Sequence, residues 1–127
     1  MNPQRLRQSG YWISTGLIAL WLVPSGVFDL LRAPSVVDIL HHLGYAAYVG
    51  AILGAGKLLA IVAILYPKTR LLREWAYAGI TFDLIGAIVS HLTVHDPLGI
   101  VIYPVLALAL TAGSYILRAD HLRLRAV

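Results

Sequence analysis

The sequence predicts an all-α integral membrane protein, a four-helix bundle forming one domain over residues 1–127 with both termini in the cytoplasm. Three observations carry that expectation. Hydrophobic residues make up 59% of the chain against 13% charged, and the mean hydropathy is +0.78, outside the range of water-soluble domains. The apolar residues gather into four runs, each near the roughly 20 residues that a spanning helix needs. Basic residues fall almost wholly at alternate ends of those runs.

The first span is expected over residues 11–31, after Arg5 and Arg7. It reads as a retained helix rather than a cleaved signal, because the run exceeds a normal signal core and no A-x-A site closes it. Pro24 and Gly26 are expected to kink it, as is Pro104 in the fourth. Arg32 to Gly44 reads as a connection to a second span over 45–66, where Gly50 and Gly54 form a GxxxG step. Pro67 to Glu74 turns into a third span over 75–94, and the short "HDP" of His95 to Pro97 leads to a fourth over 98–117. Strict alternation of apolar and polar residues is absent, which argues against a transmembrane barrel.

Orientation follows from the flanks. Arg5 and Arg7, then Lys68, Arg70 and Arg73, then Arg118, Arg123 and Arg125 lie on one side of an even number of spans, with Arg32 alone opposite. Cytoplasmic flanks collect Lys and Arg, so that side is expected to be cytoplasmic. Tyr11, Trp12, Tyr66, Trp75, Tyr77 and Tyr115 fall near the same boundary, where amphipathic rings favour headgroup depth. The net charge of +4 thus reports topology and attraction to lipid, with no reason to invoke nucleic acid.

The tenth basic residue, Lys57, sits inside an apolar run. An antiparallel turn centred near Arg70 puts it level with Asp83, since both lie 13 residues from that turn. The two are expected partners on adjacent helices, each costing roughly 3 kcal/mol if inserted alone. Small residues support close approach: Ala76, Gly79, Ala87 and Ser90 share the face of Asp83, and Gly50 and Gly54 stand on the partner helix. A buried pair of this kind serves either to lock two helices or to build a ligand site.

Further polar residues gather toward the other end: Asp29, His41, His42, His91, His95 and Asp96. Asp83 and His91 are eight residues apart, hence about 80° around a helix and about 12 Å along it, so a ligand with a polar head could touch both. Lys57, Asp83 and His91 are therefore the candidate ligand-binding residues, with Asp29 at the entrance. His91-x-x-x-His95 is the one pattern with metal or haem ligand spacing, and it lacks the glutamate of HExxH, so no metal is expected. Cysteine is absent, which excludes thiolate-held metal and iron–sulfur clusters in this chain. Ser90 next to His91 points elsewhere on the helix and makes no nucleophile pair, and no glycine-rich phosphate loop occurs outside an apolar run.

The stretch "GAGKLLAIVAILYPKTRLLREWAYAGITFDLIGAIVSHL", Gly54 to Leu92, resembles the DoxX-like family of small bacterial membrane proteins. The order G-x-x-K, a basic turn, WAYAG, F-D, G-A and S-H carries the resemblance, which extends more loosely through "HHLGYAAY" and the first span. The family often has a proline after H-L-G-Y, where Ala46 stands here, a departure at a helix start. By motif, the resemblance marks Lys57, Trp75, Asp83 and His91 as characteristic positions. It implies a four-helix membrane fold, and the family takes its name from a subunit of a thiosulfate:quinone oxidoreductase. Three readings of activity stay open: a redox-associated subunit binding a quinone or another lipophilic ligand, alone, as a homo-oligomer or within a larger redox complex; a non-catalytic assembly or chaperone-like protein; and an isomerase-type enzyme acting on a lipophilic substrate.

Overall fold

The computed structural model describes residues 2–66 and 70–126, the stretch 119–126 as backbone only. Lys68, counted above in the basic flank, lies outside the described residues, as do the side chains of Arg123 and Arg125. The described chain is all α, in the order α1 (Pro3–Leu30), α2 (Pro34–Leu43), α3 (Val49–Leu65), α4 (Arg70–Thr93) and α5 (Leu98–Ala126), and no strand occurs among the described residues. α1, α4 and the Leu98–Arg118 part of α5 are each long and apolar enough to cross a membrane, and α3 is shorter at 17 residues.

Helix ends follow local chemistry. α1 starts eight residues before the expected 11, because the Asn2 side chain accepts from the Gln4 amide at 3.0 Å and Pro3 tolerates the first helical position. Its end uses Arg32 at φ 53, with Ala33 N bonding Phe28 O, a left-handed stop more common on glycine. The expected connection at 32–44 is in fact largely helical. Pro34 opens α2, and Gly44 at φ 90 closes it while Tyr45 N bonds Leu40 O. Residues 45 and 46 are irregular and 47 and 48 form a turn, so α3 begins four residues later than expected. α4 starts at Arg70, ahead of the expected 75, and ends at Thr93. Pro24 and Pro104 each lie inside an unbroken helical assignment.

α1 packs against α3 and α5, and α4 packs against the same two, while α2 rests on α3. Ile18, Leu22, Ile61, Ile64, Ile80 and Leu84 form the centre of the shared core. Outside it the helices stay bare. In the apolar windows of α1 and α4 only 22% of residues are buried, and Leu20, Phe82 and Leu98 are more than two-thirds exposed. A soluble protein does not leave that much contiguous apolar surface to water, so the exposed faces are the faces for lipid.

α1 and α3 approach each other closely at their glycines. A Cβ on Gly54 would fall 2.4 Å from Leu30 N and 2.6 Å from Gly26 O, and one on Gly50 would fall 3.0 Å from Asp29 O. The GxxxG step therefore faces α1, not α4 as the sequence reading has it. Gly79 is also corrected, since a Cβ there would meet nothing within 4 Å. Two of the boundary aromatics turn inward: Tyr11 and Tyr77 are buried, while Trp12, Tyr66 and Trp75 are exposed. Buried hydroxyls explain the inward turn, because the Tyr77 hydroxyl and Ser114 Oγ lie 2.7 Å apart and Tyr11 Oη accepts from Arg118.

Candidate functional site

The tight α1–α3 contact decides what Lys57 meets. Its ammonium donates to Asp29 Oδ2 at 2.7 Å and to Ser25 Oγ at 2.9 Å, both on α1, whereas Asp83 Oδ2 on α4 stands 4.0 Å away. The sequence reading paired Lys57 with Asp83. The primary partner is Asp29, because Gly26, Gly50 and Gly54 let α1 lie close enough for a carboxylate one turn from Ser25 to reach the amine. Asp29 is thus part of the charged centre rather than an entrance residue, and it is 8% exposed.

An ammonium has three protons to donate. Two are used on Asp29 and Ser25, and Asp83 Oδ2, at 4.0 Å, is too far away to accept the third. One oxygen atom, from water or a ligand, fits between such groups. One cation with two carboxylates also carries one excess negative charge, which a single proton would balance. The arrangement therefore offers an oxygen atom a donor on Lys57 and a carboxylate on Asp83 4.0 Å from it.

A cavity of about 570 Å³ opens beside it. Asp29, Lys57, Asp83 and His91 all line this cavity, together with apolar side chains from α1, α2, α3, α4 and α5, Trp21 and Tyr103 among them. That volume lies in the usual range for small-molecule sites, and a few polar groups on apolar walls is the usual lining. A second cavity of about 310 Å³ lies between α3 and α4, bordered by Gly56, Trp75 and Gly79, and it shares Lys57 and Asp83 with the first. Glycine at 79 keeps that space open, which is why no neighbour meets it.

The histidines do different work from that expected. α4 ends at Thr93 and His95 takes φ 59, with Asp96 N bonding His91 O, so His91 and His95 do not share a helical face. His95 is exposed. Instead Asp96 bridges two imidazoles, His91 Nδ1 at 2.6 Å and His42 Nε2 at 2.7 Å. An ionised carboxylate only accepts, so each ring nitrogen donates here. The hydrogen bonds from His91 and then His42 hold the Asp96 carboxyl below the usual carboxylate range. With the Tyr45 hydroxyl 2.7 Å from Ser90 Oγ, these bonds tie the turn and helix of residues 34–45 to the end of α4, over one end of the larger cavity. Among the described residues no group of three or more His, Cys, Asp or Glu side chains is arranged so that it could hold a metal ion.

Ser25, His42, Tyr45 and Asp96 escaped the sequence reading as site residues. Asp96 and His42 carry a signal, the gathering of titratable residues at one end, but their pairing depends on α2, which the sequence presents only as a connection. Ser25 carried none, since a serine inside an apolar run reads as packing.

A search among curated proteins and one among solved structures return no match to this chain. A family profile described as the DoxX-like family matches residues 13–114, which takes in Ser25, Asp29, Lys57, Asp83, His91 and Asp96. On that match, across most of its length and over every residue of the charged centre, the chain belongs to the DoxX-like family of membrane proteins.

Proposed function

We propose that this protein is a four-span subunit of the bacterial inner membrane that binds a quinone, or a closely similar lipophilic molecule with carbonyl oxygens, in the larger cavity. α3, extended by the turn before it, would be the fourth span of the bundle, since 17 residues at 1.5 Å each give about 26 Å against a hydrocarbon core of about 30 Å. The basic flanks would be cytoplasmic, with both termini on that side.

The observation that carries the reading is an ammonium with an uncommitted proton at the wall of an apolar cavity. Lys57 would donate that proton's hydrogen bond to one ligand oxygen, and Asp83 would face the same oxygen when it carries a proton. His91, farther along α4 on the same cavity, would meet the second polar end. Quinone reduction takes up two electrons and two protons; the centre would handle protons, and the electrons would come from a redox partner protein, since no cysteine is present to hold an iron–sulfur cluster.

Trp21 lines the cavity, so a bound quinone should quench its fluorescence. Titrating the detergent-purified chain with a short-chain ubiquinone should give saturable quenching that Lys57→Met weakens at least tenfold, and mass spectrometry of gently purified protein should detect a co-extracted quinone. Non-saturable quenching with no co-extracted lipophile would reject the proposal.

A second reading has its own support. The bond between Lys57 and Asp29 lies where α1 and α3 are closest, so the charged centre would lock those helices in a non-catalytic assembly protein. In that case Lys57→Met lowers stability and no quinone binds.

A further inference from the structure

At the end of the molecule away from His91 and Asp96, the start of α4 and the last apolar turn of α5 bring two arginines together against α1. Arg73 is 7% exposed and interacts electrostatically with Arg118. Arg118 donates to Tyr11 Oη, and its guanidinium carbon lies 5.1 Å from the centre of the Tyr11 ring. The hydroxyls around them are occupied: Ser114 Oγ lies 2.7 Å from both Thr15 Oγ1 and Tyr77 Oη.

Neither guanidinium is paired with a carboxylate among the described residues. The Nε atoms of Arg73 and Arg118 are both buried without a hydrogen-bond partner. Glu74 follows Arg73 in sequence, yet its carboxylate is held by the Tyr115 hydroxyl at 3.0 Å and acts on Arg73 only at a distance. The first turn of α4 has no acidic residue, so the positive end of that helix adds to the same excess. A buried cation such as Arg73 without a counter-charge is strongly unfavourable, and the half-buried Arg118 guanidinium within range of it makes it more so. An anion from outside the chain would complete the set.

We propose that Arg73 and Arg118 form a binding site for a phosphate group, distinct from the cavity at Lys57. A guanidinium presents its donors as a planar fork that matches the oxygens of a phosphate, and Arg73 offers that fork in the first turn of a helix, where backbone dipoles favour an anion. The site lies where the apolar parts of α1, α4 and α5 give out, the depth at which phospholipid phosphates sit. Phosphodiesters occur in both leaflets, so the proposal does not depend on orientation. The same chemistry would also accept free inorganic phosphate, and the test separates the two.

The full chain in a maltoside detergent, which has no phosphate, is melted with added phosphatidylglycerol, with added inorganic phosphate, and with added diacylglycerol as a phosphate-free lipid. Phosphatidylglycerol should raise Tm by roughly 5 °C or more at saturation, diacylglycerol should not, and native mass spectrometry should show one retained phospholipid. A shift with inorganic phosphate alone would assign the site to the free anion; a shift only with the phospholipid would assign it to the headgroup. Arg73→Gln should abolish the shift, and it should leave the lipid-free Tm equal to or above that of the unmodified chain, because it removes a buried charge that no carboxylate among the described residues pairs with. A purely structural Arg73 predicts the opposite sign. Arg5→Gln, at an exposed position on the same end, should keep the full shift. Absence of a shift with both phosphate sources, no retained lipid, or an Arg73→Gln protein that responds like the unmodified chain would overturn the proposal. If Arg73→Gln fails to fold, Arg118→Gln and the retained-lipid measurement on the unmodified chain decide it by the same criteria.

Discussion

Lys57 costs about 3 kcal/mol in a membrane when it stands alone, and it is tolerated here because two oxygens on α1 accept hydrogen bonds from it. The direction of that contact gives a quantitative prediction. Lys57→Met should destabilise the detergent-purified protein by about 3 kcal/mol or more, since it leaves Asp29 buried without its cation. Adding Asp29→Asn should recover a substantial part, with a coupling of order 1–3 kcal/mol, whereas adding Asp83→Asn should recover less. Equal recovery in the two double mutants, measured by thermal melting, would contradict the 2.7 Å and 4.0 Å separations. An ionisable residue in an apolar run announces that it needs a partner. Which of two aspartates serves as partner is a matter of how closely helices pack, and depth counted from a turn compares only neighbours in sequence.

Glycine spacing sets that packing at the scale of the elements. Gly54→Ala would put a methyl 2.4 Å from the Leu30 amide nitrogen, a backbone atom that cannot step aside, so α1 and α3 must separate. A loss of roughly 2 kcal/mol or more is expected, together with a weaker Lys57–Asp29 bond. Gly79→Ala, inside α4, meets open space and should cost nothing, with a gain of up to about 1 kcal/mol from the better helix former. The GxxxG pattern was legible in the sequence, but the partner it faces was not. The roof over the larger cavity gives a pH prediction. The folded-state value of Asp96 lies below its ordinary 3.8, so its contribution is present above that value and is lost as pH falls through the lowered one. Tm should therefore decline on the acid side, below about pH 4, and Asp96→Asn should remove that part of the decline while leaving the profile near neutrality flat for this group. α2, which carries one half of the roof, looked like loop because it is only 10 residues long and is bounded by Pro34 and Gly44, residues that punctuate turns as readily as helices.

For the molecule as a whole, the eight basic residues gathered on one side against Arg32 on the other predict that both termini face the cytoplasm. An alkaline phosphatase fused after the C-terminus should be inactive in cells and a cytoplasmic reporter at the same point active. Periplasmic phosphatase activity there would reverse the orientation.

Composition and the length of the apolar runs determined by themselves that the chain is helical and membrane-bound, since a bilayer leaves backbone groups no partner but one another. Four of the polar residues that line the cavity were also legible, because Lys57, Asp29, Asp83 and His91 stand out against apolar or near-apolar surroundings. Only the tertiary structure decided which of them touch. The preference of Lys57 for Asp29, the bridge of His91 and His42 through Asp96, and the meeting of Arg73 with Arg118 all join residues far apart in sequence. Such pairings depend on angles and separations between helices to within about an ångström, and those are fixed by side-chain packing across the whole bundle rather than by any local stretch of sequence.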